Sequence, residues 1–115
     1  MELTNSLNQL INYLVCQIVP KMSRSGRRIL DILTTQLFTA QEITVTIQLE
    51  HSNNARLKEQ LLELCVKLQM AYNLTKSLYN ARVITKKQLD SIYKRLAATQ
   101  TIAHGWRNKL NKENK

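Results

Sequence analysis

Residues 55–80 read ARLKEQLLELCVKLQMAYNLTKSLYN, and their spacing decides the fold. Leu57, Leu61, Leu64, Leu68, Ala71, Thr75 and Leu78 follow one another in alternating steps of four and three, the period of one face of a helix. Leu62, Cys65, Met70 and Tyr72 widen that face. The stretch predicts an amphipathic helix of roughly 39 Å at about 1.5 Å per residue. A face so apolar has to be covered, and the rest of the chain supplies the cover.

On the C-terminal side, Asn80-Ala81-Arg82-Val83-Ile84 forms a connection. Thr85 and Gln88 then have the spacing of a capping box, Thr at the N-cap and Gln at the third helical position. A helix over 86–108 follows, carrying Leu89, Ile92, Leu96, Thr99, Ala103 and Trp106 at steps of three and four. From Asn108 the sequence turns polar, which predicts fraying and leaves 111–115 as a tail outside a bundle of residues 1–110.

On the N-terminal side, His51-Ser52-Asn53-Asn54 is a turn, preceded by a helix over 27–51 with Ile29, Leu33, Leu37, Ala40, Thr44 and Ile47 and Ser25 as its N-cap. Within it, Glu42-Ile43-Thr44-Val45-Thr46-Ile47-Gln48-Leu49 alternates apolar and polar, as a strand does. The helical reading is preferred, because a lone strand has no neighbour for its backbone N–H and C=O groups. Ile43 and Ile47 then form one row and Val45 and Leu49 another, more apolar surface than one bundle face needs. The first helix, over 4–19, carries Leu3, Leu7, Leu10, Leu14 and Ile18, flanked by Ile11 and Val15, and Pro20 ends or interrupts it.

The composition agrees. The chain has 115 residues, enough for one domain, with only two glycines and one proline, against roughly 12% usual for the two together. Turn-rich sandwiches, barrels and dinucleotide-binding folds are excluded by that shortage. The expected fold is all-α: an up-down-up-down antiparallel four-helix bundle with short connections. No apolar run reaches the length of a membrane span, and Asn8, Gln9 and Asn12 interrupt any secretory signal, so a cytoplasmic protein is expected. Cys16 and Cys65 have no metal-type spacing and read as reduced core thiols.

Charge is distributed unevenly. The net charge is +9 at pH 7, yet residues 1–63 sum to zero, and 64–115 hold eleven basic residues against Asp90 and Glu113. In an up-down-up-down bundle the first and third connections share one end. Lys21, Arg24, Arg27 and Arg28 then converge with Arg82, Lys86 and Lys87, with Asp31 and Asp90 the nearest acids in sequence. Two helices also start there, and helix N-termini favour anions. These seven residues are the candidate nucleic-acid-binding set, read as backbone contacts, with a merely solvated face and an anionic lipid surface as the alternatives. The aromatics Tyr13, Phe38, Tyr72, Tyr79, Tyr93 and Trp106 lie at or near apolar helical positions, so no base-stacking platform is legible; Tyr79, close to the basic end, is the single candidate for one, and core packing is the role expected of it.

Catalytic chemistry is not legible: no nucleophile with its base, no paired carboxylates and no phosphate-cradling glycine loop. No enzyme activity, cofactor or metal is expected. His51 reads as a capping or solvated turn residue, and His104 as a residue one turn from the end of the last helix, where it suits the dipole. Gly105 inside that helix implies a close approach by another helix or subunit, since glycine there costs about 1 kcal/mol relative to alanine.

Val19-Pro20-Lys21, the helix opening Arg27-Arg28-Ile29, the run from Tyr72 to Trp106 with its turn at Ile84-Thr85, and the closing Gly105-Trp106 together resemble the four-helix-bundle family of accessory variability determinant proteins and of proteins encoded in ribosomal-RNA intervening sequences. The resemblance spans nearly the whole chain. His104 departs from it, standing where relatives often carry glycine or another small residue. It implies a basic, non-catalytic homopentamer that binds nucleic acid and the reverse transcriptase of a diversity-generating retroelement during copying of template RNA into cDNA. The intervening-sequence proteins share the implied fold without a settled role. An adaptor that binds an acidic protein partner is the alternative.

Overall fold

A computed structural model describes residues 2–50 and 53–113. It contains four helices: α1 (Glu2–Tyr13), α2 (Arg24–Glu50), α3 (Asn54–Asn80) and α4 (Lys86–Glu113), with no strand among the described residues. Helix α2 packs on α3, α3 on α4, α4 on α1 and α1 on α2, and the molecule measures 48 × 23 × 18 Å. The segment 42–49 is helical, as its lack of a pairing partner requires.

The predicted apolar seam of α3 is buried from Leu61 on: Leu61, Leu64, Leu68, Ala71, Thr75 and Leu78 are inaccessible, in an interior shared with Leu7, Leu10, Leu37, Ile92 and Leu96 of the other helices. Leu57 is half-buried and, of the residues expected to widen the face, Cys65 is buried but Leu62, Met70 and Tyr72 are exposed. Three threonines share this interior, and each satisfies its hydroxyl locally. Thr44 donates to the Gln41 carbonyl, Thr75 to Ala71, and Thr99 to Arg95, with Ser6 of α1 2.7 Å from the Thr99 hydroxyl. Contacts pair α3 and α4 in opposite order along the chain: Cys65 meets His104, and Tyr72 stacks on Tyr93.

The connections show where local chemistry overrides periodicity. Pro20 does not end the first helix at Val19. The chain widens into a π turn over Leu14–Ile18 and tightens into a 3-10 turn over Val19–Lys21. Proline lacks an N–H and its ring crowds the carbonyl four residues earlier, and a wider turn relieves that clash. Leu14 and Ile18 remain buried, but Val15 and Cys16 turn to solvent, so Cys16 is not the core thiol expected of it.

Helix α2 begins at Arg24, and its cap is Ser23 rather than Ser25: the Gly26 N–H donates to Ser23 Oγ at 3.2 Å, and the Arg27 N–H to the Ser23 carbonyl. The earlier start places Leu30, not Ile29, fully in the core. Asn53 caps α3 through the Arg56 N–H at 2.9 Å, while the expected role of His51 lies outside the described residues. The Thr85–Gln88 capping box forms reciprocally, at 2.9 and 3.1 Å. Helix α4 runs past the expected end at 108 to Glu113, and Leu110, one step of four beyond Trp106, is buried.

Leu68 lies at the centre of the seam. Leu68→Ala is expected to lower unfolding stability by about 2–5 kcal/mol, read from urea denaturation monitored by circular dichroism. Thr85→Ala, which deletes half of the capping box, is expected to cost about 1 kcal/mol in the same assay.

Candidate nucleic-acid interface

The first and third connections meet in space. Gly26, in the first turn of α2, is buried against Val83: a Cβ added to it would lie 3.0 Å from Val83 Cγ1 and 3.0 Å from Met22 Sδ. Glycine at this position therefore lets the two connections touch. Around the contact stand Lys21, Arg24, Arg27 and Arg28 on one side and Arg82, Lys86 and Lys87 on the other, all exposed.

Among the described residues, one of these seven forms an ion pair: Lys86 with Asp90, at 3.3 Å and well exposed. An exposed pair of this kind contributes little. The other six cations have no acid within salt-bridge distance among the described residues. Exposed cations without acidic partners near one contact give this end a positive potential, which attracts anions. The two helix N-termini in this region are already occupied by side chains, Ser23 for α2 and Thr85 for α4, so the anion-attracting groups here are the side-chain cations themselves.

The turn between α3 and α4 carries a second feature. Arg82 has φ of 60°, in the left-handed region that favours glycine. Its N–H bonds to the Tyr79 carbonyl and that of Val83 to the Leu78 carbonyl, both at 2.9 Å, which is the paired closure of a Schellman motif. Arginine thus occupies the position where glycine is usual. An open groove of about 340 Å³ lies over this turn, lined by Tyr79, Asn80, Arg82, Val83, Ile84 and Thr85.

The aromatic residues divide by surroundings. Tyr72 and Tyr93 stack on each other with ring centroids 4.5 Å apart and planes inclined by 11°. The Tyr13 ring is covered by the Arg95 guanidinium at 4.0 Å, and Trp106 is half-buried in a groove between α1 and α4. Phe38 is exposed on α2, away from the basic end. Tyr79 is 37% exposed, so its expected role in core packing does not describe it. Periodicity placed it near the apolar face, whereas the end of α3 falls short of covering it.

Two other positions differ from expectation. His104 lies well inside α4, not one turn from its end, and its Nδ1 is 3.8 Å from Cys65 Sγ. Burial pushes the Cys65 thiol above its ordinary pKa, and the nearby positive charge of Arg107 offsets part of that shift. A Cβ on Gly105 would meet nothing within 4 Å, so no close approach inside this chain accounts for that glycine. No three His, Cys, Asp or Glu side chains converge on a metal-sized site among the described residues, and no described helix is long and apolar enough to cross a membrane.

Compared with known proteins, the chain matches no protein-family model, no curated protein and no solved structure.

Arg82→Gly is expected to raise unfolding stability by about 1 kcal/mol, because it removes the left-handed strain while keeping the turn. A maleimide reagent at neutral pH is expected to label Cys16 rapidly and Cys65 only as the chain opens; equal labelling rates in the folded state would contradict the burial of Cys65.

Proposed function

We propose that the chain is a non-catalytic accessory protein that grips the backbone of nucleic acid through the cations at one end of a helical bundle. The observation that carries this reading is the meeting of Lys21, Arg24, Arg27 and Arg28 with Arg82, Lys86 and Lys87 around the Gly26–Val83 contact, six of them without an acidic partner among the described residues. A chain of net charge +9 with such a cluster attracts polyanions from a distance and releases counterions on contact.

The resemblance to accessory variability determinant proteins supplies the setting: a cytoplasmic complex with a retroelement reverse transcriptase, acting on template RNA, cDNA or their hybrid. A role like that of the intervening-sequence proteins belongs to the same reading. The bundle runs up-down-up-down; the short α2–α3 and α3–α4 connections and the opposite order of the α3–α4 contacts support that course. Assembly into a homo-oligomer, a pentamer by resemblance, is supported by apolar side chains left in solvent: Phe38, Val45 and Leu49 on α2, and Leu62, Val66 and Met70 on α3. The same exposed rows also favour a second reading, an adaptor that docks on an acidic protein.

A salt titration separates the two readings. Binding to structured RNA, duplex DNA and an RNA–DNA hybrid, followed by fluorescence anisotropy, is expected to weaken with salt at a log–log slope near −4 to −5, as for about five neutralised phosphates of duplex. Replacing Arg27 and Arg28 together by glutamate is expected to abolish most of that affinity while helicity and subunit number stay unchanged. Unaltered affinity removes this end from the interface, and failure of every ligand to bind at low salt transfers the charge to a protein partner. Light scattering is expected to show more than one subunit per particle, with Leu62→Glu and Val66→Glu reducing that number.

A further inference from the structure

We infer that the groove at the α3–α4 turn seats an unpaired nucleobase, with the Tyr79 ring as stacking platform and Arg82 beside it for the adjoining phosphate. The inference rests on the nucleic-acid reading above and deepens it: the basic end distinguishes single-stranded from duplex ligands. Backbone contacts alone give charge-driven binding that is indifferent to pairing. An aromatic face adds a term available only to a base that has left its own stack.

Tyr79 differs from the other tyrosines in having no aromatic or cationic group stacked on its ring among the described residues. Tyr72 and Tyr93 cover one another and Tyr13 is covered by Arg95, whereas no ring or guanidinium stacks on Tyr79, and its hydroxyl makes no hydrogen bond among the described residues. It lines a groove of about 340 Å³, within the range of roughly 300–1,000 Å³ typical of small-ligand sites. Arg82 lines the same groove from a backbone position held by two hydrogen bonds of the turn, so its side chain departs from a fixed point. Asn80 and Thr85 give the rim amide and hydroxyl groups. Lys86 and Lys87 follow directly in sequence, so a strand whose base enters the groove has cations for its flanking phosphates.

The test uses the full chain and three labelled ligands in anisotropy titrations: a short single-stranded RNA, the same strand carrying abasic sites, and an RNA duplex. Tyr79→Leu is expected to weaken single-strand binding about tenfold, with duplex binding and the salt slope changed by less than about twofold. Tyr79→Phe keeps the ring and is expected to keep the affinity. The abasic strand is expected to lose a similar factor on the native protein and nothing further on Tyr79→Leu. Equal weakening of single strand and duplex, or abasic binding as tight as that of the intact strand, overturns the inference and leaves a backbone-only interface. Native protein that binds none of the three ligands at low salt overturns the nucleic-acid reading itself, a separate outcome. Because the abasic comparison is made on the native chain, it stands even if Tyr79→Leu is poorly folded.

Discussion

Burial of one leucine-rich seam is the interaction on which every other feature of this molecule depends. Leu7, Leu10, Leu37, Leu64, Leu68 and Leu96 are at most 1% exposed. Each such side chain contributes about 1.5–3 kcal/mol when removed from water. The seam repeats at the helical period in all four helices, so it sets which face of each turns inward and how far each extends. Helix α4 continues to Glu113 because Leu110 still finds cover. The buried threonines must bond to their own helices because the seam offers them no other polar group, apart from Ser6 beside Thr99.

A core built this way has no place for charge, and seven of the chain's 17 basic residues stand at one end of the seam. At the end that joins α1 to α2 and α3 to α4, two unfavourable features coincide: mutual repulsion among the exposed cations, and an arginine in a backbone region where glycine is at ease. Repulsion between exposed groups is screened beyond a Debye length of about 8 Å at physiological salt, so the seam can tolerate it. The rest of the surface differs. It carries exposed apolar side chains on α2 and α3, among them Phe38, Val45, Leu49, Leu62, Val66 and Met70.

Much of this was legible in the residues. Helical period identified α3, α4 and most of α2, and the Thr85–Gln88 box located the start of α4, because both signals are local: a face repeats, or a side chain caps its own helix. The segment 42–49 illustrates a subtler case, in which β-branched alternation suggested a strand and the absence of any pairing partner correctly outweighed it. Other features depended on competition between neighbours. Ser23 and Ser25 are equally good caps by type, and only the path of the chain through Met22 selects Ser23. Pro20 announced a break, but whether the chain breaks or widens depends on the packing of Leu14 and Ile18.

By itself, then, the sequence determined an all-α chain with an apolar seam, caps for its helices and a surplus of positive charge, since each follows from residue type and spacing along one strand of covalent bonds. Tertiary structure decided what no spacing encodes. It brought Gly26 against Val83, and so made one cluster of two distant basic connections. It stacked Tyr72 on Tyr93 and left Tyr79, as exposed as Tyr72 at 37%, with no ring against it among the described residues. It turned Cys16 outward and set Cys65 beside His104. The physical reason is common to all of these. Exposure and proximity belong to pairs of helices, and the fit between two helical surfaces is settled only when both are packed.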